Sequence, residues 1–255
     1  MQYQGGKYMG GNHIAKILTE HRKPGQWYIE PFCGGCGVLG RMAFPRLGAD
    51  VNPYLVAYLQ KISSTDWMPS VDVSREIFND MKTNPENYDP AWVGIVGCAL
   101  SFSGKWFGSY TGHIKKYQEI KRGSRKGEIR KYDEKKKMLK SAERDKKLLK
   151  YPAFVLKDYR TLDAEGYIPP ESLIYCDPPY KGTAGYPFGG DFDHDAFWQW
   201  CINMVYKGHT VFVSEYSCPH DFEVVWERKR SSSLSNNKEY NAMKTRPTEK
   251  LFKIS

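Results

Sequence analysis

Only six of the 255 residues are cysteine, and nowhere does the chain approach the ~18 consecutive apolar residues of a membrane span. A disulfide scaffold is excluded at that cysteine density. The opening, Met1-Gln2-Tyr3-Gln4-Gly5-Gly6-Lys7, lacks the apolar core of a secretory signal, so a soluble, intracellular protein is predicted. Glycine shows no three-residue period, no internal repeat is visible, and aromatics reach 15%; collagen-like, coiled-coil and disordered readings fail. No G-x-x-x-x-G-K-[ST] run follows a strand pattern, which disfavours a phosphate-cradling loop. Cys33 and Cys36 form a C-x-x-C, but no second Cys or His pair follows at zinc-finger spacing. Two small thiols in a glycine-rich turn are the plainer reading, and no metal is predicted. What remains is a chain long enough to bury a substantial core, one domain with a modest insertion.

The charge is unevenly spread. The whole chain carries a formal +9, yet residues 115–150 hold sixteen Lys or Arg against six acids, a local +10. A nearly neutral body with one cationic segment suits a polyanion, because Lys and Arg displace counterions condensed on phosphate. Nucleic acid is the expected partner. The competing reading makes residues 133–150 a solvated helix, with Met138, Leu139, Leu148 and Leu149 inward and lysines facing water. Just upstream, Lys105, Trp106 and Tyr110 sit among small residues, where aromatics beside a cation suit stacking on bases. Trp106 and Phe107 could equally be core anchors.

Along the chain, strands are predicted at residues 26–30, 47–51, 153–158, 172–176, 209–214 and 250–254. Helices are predicted from Val38, at 53–60 with Pro53 as the first helical residue, and at 74–81, 91–100, 133–150 and 193–206. Residues 228–248 are polar and Ser/Asn-rich, the pattern of a mobile loop. Strands alternating with helices imply an α/β fold with an open, mostly parallel sheet, which binds ligands beyond the carboxyl ends of its strands.

Three motifs fall at such strand ends. The glycine turn Phe32-Cys33-Gly34-Gly35-Cys36-Gly37 lets a ligand approach the backbone. Asp50 closes the next strand, where a carboxylate can accept both hydroxyls of a ribose; together these suggest an adenosine-containing ligand. The third is Asp177-Pro178-Pro179-Tyr180 after the apolar run Leu173 to Cys176. Two prolines stiffen the turn and donate no backbone hydrogen bonds, so the segment presents acceptors beside the flat face of Tyr180. Such a cluster fits a planar group bearing an NH2, such as a nucleobase exocyclic amine.

Taken in order, Gly5-Gly6-Lys7, Glu30 to Gly35, Ala49 to Pro53, Ser103 to Gly108, Leu173 to Tyr180 and Phe212 to Tyr216 resemble the Dam-like DNA adenine-N6 methyltransferases, especially phage-type members. The resemblance implies a Rossmann-like methyltransferase sheet, S-adenosylmethionine as cofactor, double-stranded DNA as partner, and the cytoplasm of a bacterial or phage-infected cell. It divides the chain into a catalytic domain, residues 1–62 and 151–255, and a small, mainly helical basic insertion for DNA recognition, residues 63–150. By the same analogy Tyr3 and Lys7 lie near the cofactor's methionine end, Phe32 and Gly34 form the loop around it, Asp50 holds the ribose, and Asp158 and Tyr159 lie near its adenine. Asp177 borders the cofactor and, with the Pro178 carbonyl, accepts the target amine's hydrogens. Pro179 stiffens the turn and Tyr180 stacks on the base. Lys105, Trp106, Tyr110, Lys115, Lys116, Arg122 and Arg125 are the candidate DNA contacts. The chain departs from the family loop by placing Cys36 at its second glycine position, and Gln2 replaces the lysine that often opens the N-terminal motif. Relatives acting on cytosine N4, RNA adenine or protein glutamine more often carry Ser or Asn at the Asp177 position. From another class, a catalytically silent DNA-binding protein of the same fold is the alternative.

Overall fold

The computed structural model describes residues 1–7, 10–113, 115–119, 126–150, 152–182, 187–229 and 248–255; for residues 115–118 and 130–132 it describes the backbone alone. In chain order the elements are α1 (Gly11–His21), β1 (Tyr28–Glu30), β2 (Arg46–Asp50), α2 (Pro53–Ser64), α3 (Arg75–Thr83), α4 (Pro90–Ala99), β3 (Lys115–Glu119), β4 (Ile129–Asp133) and α5 (Glu134–Leu148). They continue with β5 (Ala153–Leu156), α6 (Tyr159–Leu162), β6 (Leu173–Cys176), α7 (His194–Tyr206), β7 (Thr210–Glu215), β8 (Glu223–Lys229) and β9 (Thr248–Ile254).

Seven strands form one sheet in the order β5-β2-β1-β6-β7-β9-β8. The first five are mutually parallel, whereas β9 runs antiparallel to both β7 and β8. From β1 the chain winds outward to β2 and β5, then returns to lay β6 and β7 on the other side. The order therefore reverses between β1 and β6, and the crevice beyond their carboxyl ends is the switch point of an open α/β sheet. Every residue of β1, β2 and β6 is buried, as strands covered on both faces require.

Side-chain alternation along the strands divides the core into two layers. Tyr28, Leu173, Tyr175 and Phe212 face a layer built with Ile14 and Leu18 of α1, Leu55 and Leu59 of α2, Ile95 and Val96 of α4, and Met138 and Ala142 of α5. Their neighbours Ile29, Ile174, Cys176, Val211 and Val213 face Leu162 of α6 and Phe197, Cys201 and Met204 of α7. Residues 63–150 thus supply side chains to the first layer through α3, α4 and α5.

Local chemistry starts α2, α3, α4, α5 and α7 within a residue of where sequence patterning placed them, whereas α1 and α6 lie where it expected no helix. Asn52 accepts the Tyr54 and Leu55 N–H groups, each at 3.1 Å, with Pro53 as the first helical residue of α2. Asp89 caps α4 ahead of Pro90, and Asp133 and Asp193 cap α5 and α7. The helix expected from Val38 is instead a single 3₁₀ turn, Leu39–Arg41. Gly37, Gly40 and Pro45 leave too few residues before β2 to sustain a longer helix. The basic segment holds a β3–β4 hairpin as well as α5, whose inward stripe is Met138, Ala142, Asp145 and Leu149. Leu148, expected inward, is exposed. The expected loop 228–248 gives way at its ends to β8 and β9, and residues 230–247 lie outside the described residues.

Candidate active site

At the switch point, the carboxyl ends of β1, β2 and β6 carry Glu30, Asp50 and, one residue beyond Cys176, Asp177. The glycine turn, the N-terminal segment, the 101–108 loop and the segment after Tyr180 enclose a cleft of about 360 Å³ above them. That volume is within the usual range for a small-molecule site. Tyr3, Lys7, Phe32, Gly34, Asp50, Trp106, Asp158, Tyr159, Asp177, Pro179 and Tyr180 all line it, so the structure brings together residues spread over most of the sequence. Pro178 is buried in the same turn.

The cleft's charged centre is a buried ammonium. Lys7 Nζ donates to Asp177 Oδ1 at 2.5 Å and to the Tyr180 hydroxyl at 2.8 Å, and pairs with Glu249 Oε1 at 3.1 Å. Tyr180 in turn donates its hydroxyl proton to Glu249 Oε1 at 3.1 Å. The Tyr216 ring meets the Tyr180 ring edge-on, with centroids 4.7 Å apart, which fixes the plane of Tyr180. Burial pushes the Asp177 carboxyl above its usual range, Glu249 adds repulsion, and Lys7 and the Tyr180 hydroxyl pull it back. Glu30 lies beneath, 3% exposed, and accepts the Tyr28 hydroxyl at 2.8 Å. Burial pushes its pKa up to about 8. Glu215, closing β7, accepts the Lys181 and Tyr216 N–H groups at 3.1 and 2.6 Å and so ties the end of the Asp177–Tyr180 turn to the sheet.

On the other side of the cleft, Asp50 accepts the Gly34 N–H at 3.0 Å and the Asn52 N–H at 3.0 Å. A carboxylate has about four lone-pair positions, so acceptor capacity remains for a ligand. Cys36, at the second glycine position, adopts φ +54°, the left-handed conformation a glycine would take. The turn therefore follows a glycine-type path with a buried thiol in it. The N-terminal segment is pinned by the Gln4 N–H donating to the Gly104 carbonyl at 3.0 Å. Gly104 has φ +72°, and a Cβ there would meet the Tyr3 backbone at 2.9 Å, so only glycine permits this approach. Phe32 packs on Tyr159 at 5.1 Å and edge-on to Phe192 and Phe197, forming an aromatic wall. Asp158 caps α6 and pairs with Arg160 at 2.7 Å, and that hydrogen-bonded pairing holds its carboxyl below the usual range.

The candidate DNA contacts separate. Trp106 lines the cleft, stacked on Tyr54 at 5.8 Å with Phe188 edge-on at 5.4 Å. Lys105 is exposed beside it. Tyr110 points away: it is 7% exposed, packs on Phe78 and donates its hydroxyl to the Val73 carbonyl at 2.5 Å. The backbone of Lys115 and Lys116 forms the start of β3, while their side chains, and the whole of Arg122 and Arg125, lie outside the described residues. Sequence reasoning placed Glu30, Glu215 and Tyr216 within its motifs without giving them a role, and overlooked Glu249. Glu30 opens the glycine-turn motif and could have been found there; Glu249 has no local signal, because it reaches the site only through the antiparallel pairing of β9 with β7.

Among the described residues no group of three or more His, Cys, Asp or Glu side chains is placed to hold a metal ion. None of the described helices is long and apolar enough to cross a membrane.

A family model described as D12 class N6 adenine-specific DNA methyltransferase matches residues 3–214. Among solved structures, the rRNA methyltransferase aviRa from Streptomyces viridochromogenes, solved at 2.4 Å, is similar with 10% identity, covering 94% of this chain and 84% of that one at a TM-score of 0.38. A second structure of the same protein, at 1.5 Å, shares 12% identity over the same coverage at a TM-score of 0.36. No curated protein sequence matches the chain.

Proposed function

Because the chain belongs to the D12 class of N6 adenine-specific DNA methyltransferases, we propose that it moves a methyl group from S-adenosylmethionine to the N6 amine of an adenine turned out of duplex DNA, at the cleft bounded by Asp50 and Asp177. The observation that carries this reading is the Asp177 carboxylate, which already holds an N–H donor, Lys7, beside Tyr180 at the switch point.

The cleft's donor set fits the cofactor. Asp50 retains acceptor capacity for paired ribose hydroxyls, and the wall of Phe32 and Tyr159 offers apolar surface for a purine. Phe32, Gly34, Asp50, Asp158 and Tyr159 would hold it, with Tyr3 and Lys7 toward its amino-acid end; when bound it supplies an electrophilic methyl on a sulfonium. Asp158 enters this set already paired to Arg160, so its contribution there runs through a shared carboxylate.

The adenine N6 lone pair is delocalised into the ring and is a weak nucleophile. The Asp177 carboxylate and the Pro178 carbonyl accept its two hydrogens, letting the nitrogen pyramidalise and direct its lone pair at the methyl carbon. With the cofactor bound, its C–S bond would break as the new C–N bond forms, and Asp177 would take the proton shed by the methylated amine. Lys7 favours the ionised form of this carboxyl, hence a strong acceptor. Tyr180, its plane fixed by Tyr216, supports the base. Extruding the adenine costs about a few kcal/mol, offset by contacts in the pocket and along the duplex, where Lys105, Trp106 and the basic segment contribute.

The test is Asp177→Ala, assayed by mass spectrometry of nucleosides from treated DNA and, separately, by DNA-binding titration. N6-methyladenine formation is expected to disappear while DNA affinity stays within about threefold of wild type. Near-normal turnover would remove Asp177 from the chemistry.

A further inference from the structure

Lys7 holds one oxygen of the carboxylate that the target amine needs. Its ammonium has three N–H donors, and three acceptors surround it: Asp177, Tyr180 and Glu249. The Lys7 and Glu249 side chains are each only 5% exposed, so water cannot readily take the place of a departing partner. An adenine amine that bonds to Asp177 competes with the ammonium for the charge of the same carboxylate and weakens its shortest hydrogen bond. With only the neutral Tyr180 hydroxyl and a weakened Asp177 contact in direct touch, the buried cation would be poorly compensated, a costly state.

Resting on the reading of the pocket given above, we infer that Glu249 is a positioning residue for methyl transfer: it holds Lys7 while Asp177 is handed over to the adenine amine. Glu249 suits this role in three ways. It sits on β9, beyond the residues matched by the family model, and reaches the site because Glu215 pairs with its neighbour Lys250 in the β7–β9 ladder. Its Oε1 receives the Lys7 ammonium as a second carboxylate besides Asp177. It also accepts the single hydroxyl proton of Tyr180, which leaves a Tyr180 lone pair facing Lys7. Substrate entry is then a shift of one ammonium between two carboxylates that already touch it.

The experiment compares two duplexes bearing a site the enzyme methylates, one with adenine at the target and one with purine, which lacks the amine. Affinities are measured with a non-reactive cofactor analogue, and the ratio of dissociation constants reports capture of the amine. In wild type the ratio favours adenine. Glu249→Gln keeps the size and a carbonyl acceptor for Tyr180 but removes the charge; the expected result is a ratio reduced about tenfold. In a Lys7→Gln background the same substitution is expected to change the ratio by less than about twofold, because there is no ammonium to hold. An unchanged ratio in Glu249→Gln, or an equal drop in both backgrounds, overturns the inference. Should Glu249→Gln fail to fold, Glu249→Asp, which keeps the charge but withdraws it from Lys7, carries the same comparison with the same expected and contrary outcomes. Asp177→Ala separates the two claims. If it still favours adenine and still methylates, the reading of the pocket fails; if it loses both while Glu249→Gln behaves as wild type, only the role of Glu249 fails.

Discussion

Glu30 makes the floor of the cleft a proton-binding site, and its substitution by glutamine has a calculable consequence. In the unfolded chain the carboxyl titrates near its ordinary 4.5, whereas in the folded protein burial, with added repulsion from Asp177, raises it to about 8 despite the Tyr28 hydroxyl and nearby Lys7. Between those two pH values the folded state holds a proton that the unfolded state has released. Stability therefore falls as pH rises through this window, by about 1.4 kcal/mol per unit and by up to about 5 kcal/mol in all. Below pH 4.5 both states are protonated and the group contributes nothing. Glutamine copies the protonated acid in size and keeps a carbonyl for the Tyr28 hydroxyl, but it cannot ionise. Glu30→Gln is thus expected to match wild type near about pH 5 and to exceed it by several kcal/mol at about pH 9. Urea denaturation of both proteins across that range checks this, since other titrating groups are shared and largely cancel in the difference. Parallel pH curves, or a Glu30→Gln protein much weaker than wild type at about pH 5–6, would show that Glu30 is ionised and paired, contrary to the reasoning.

Tyr110→Phe removes a buried hydroxyl and leaves the Val73 carbonyl without that donor; a loss of about 1–2 kcal/mol in urea denaturation is expected, with DNA affinity within about twofold. A collapse of DNA affinity at unchanged stability would instead place Tyr110 on the duplex. Replacing Lys115, Lys116, Arg122 and Arg125 together by glutamine should weaken DNA binding and reduce the slope of log affinity against log salt by up to about 0.9 for each phosphate no longer neutralised, as read by fluorescence anisotropy; an unaltered slope would leave these residues merely solvated. Asp50→Ala should raise the cofactor dissociation constant by about 10–100-fold in calorimetry, because it removes ribose acceptors and the tether to Gly34, while DNA affinity holds; unchanged cofactor affinity would contradict its assignment.

What could be read from the sequence was local. The run from Leu173 to Tyr180 and the turn from Glu30 to Gly37 each carry strand, punctuation and chemistry within a few residues, so the strand ends and the acceptors they carry were visible, whereas the reversal of strand order between β1 and β6 was not. Pro53, as a first helical residue, announced α2 for the same reason. What was hidden depends on distant pairing. Glu249 is an ordinary acidic residue until β9 lies against β7. Tyr110 looks like a stacking residue in the sequence, and only the packing of Phe78 and Val73 turns it inward. The β3–β4 hairpin is concealed because its strands are polar and charged, with little of the apolar alternation that marks a strand. Lys7 was expected toward the cofactor; the structure adds that its ammonium rests on Asp177, the proposed acceptor of the other substrate.

The most direct measurement is a crystal structure of the enzyme with a non-reactive cofactor analogue and a duplex it methylates. The expected result is an extruded adenine whose N6 lies within hydrogen-bond distance of the Asp177 carboxylate and the Pro178 carbonyl, its ring against Tyr180. An adenine still stacked in the duplex, or an extruded one lodged elsewhere while Lys7 stays on Asp177, would contradict the proposed chemistry.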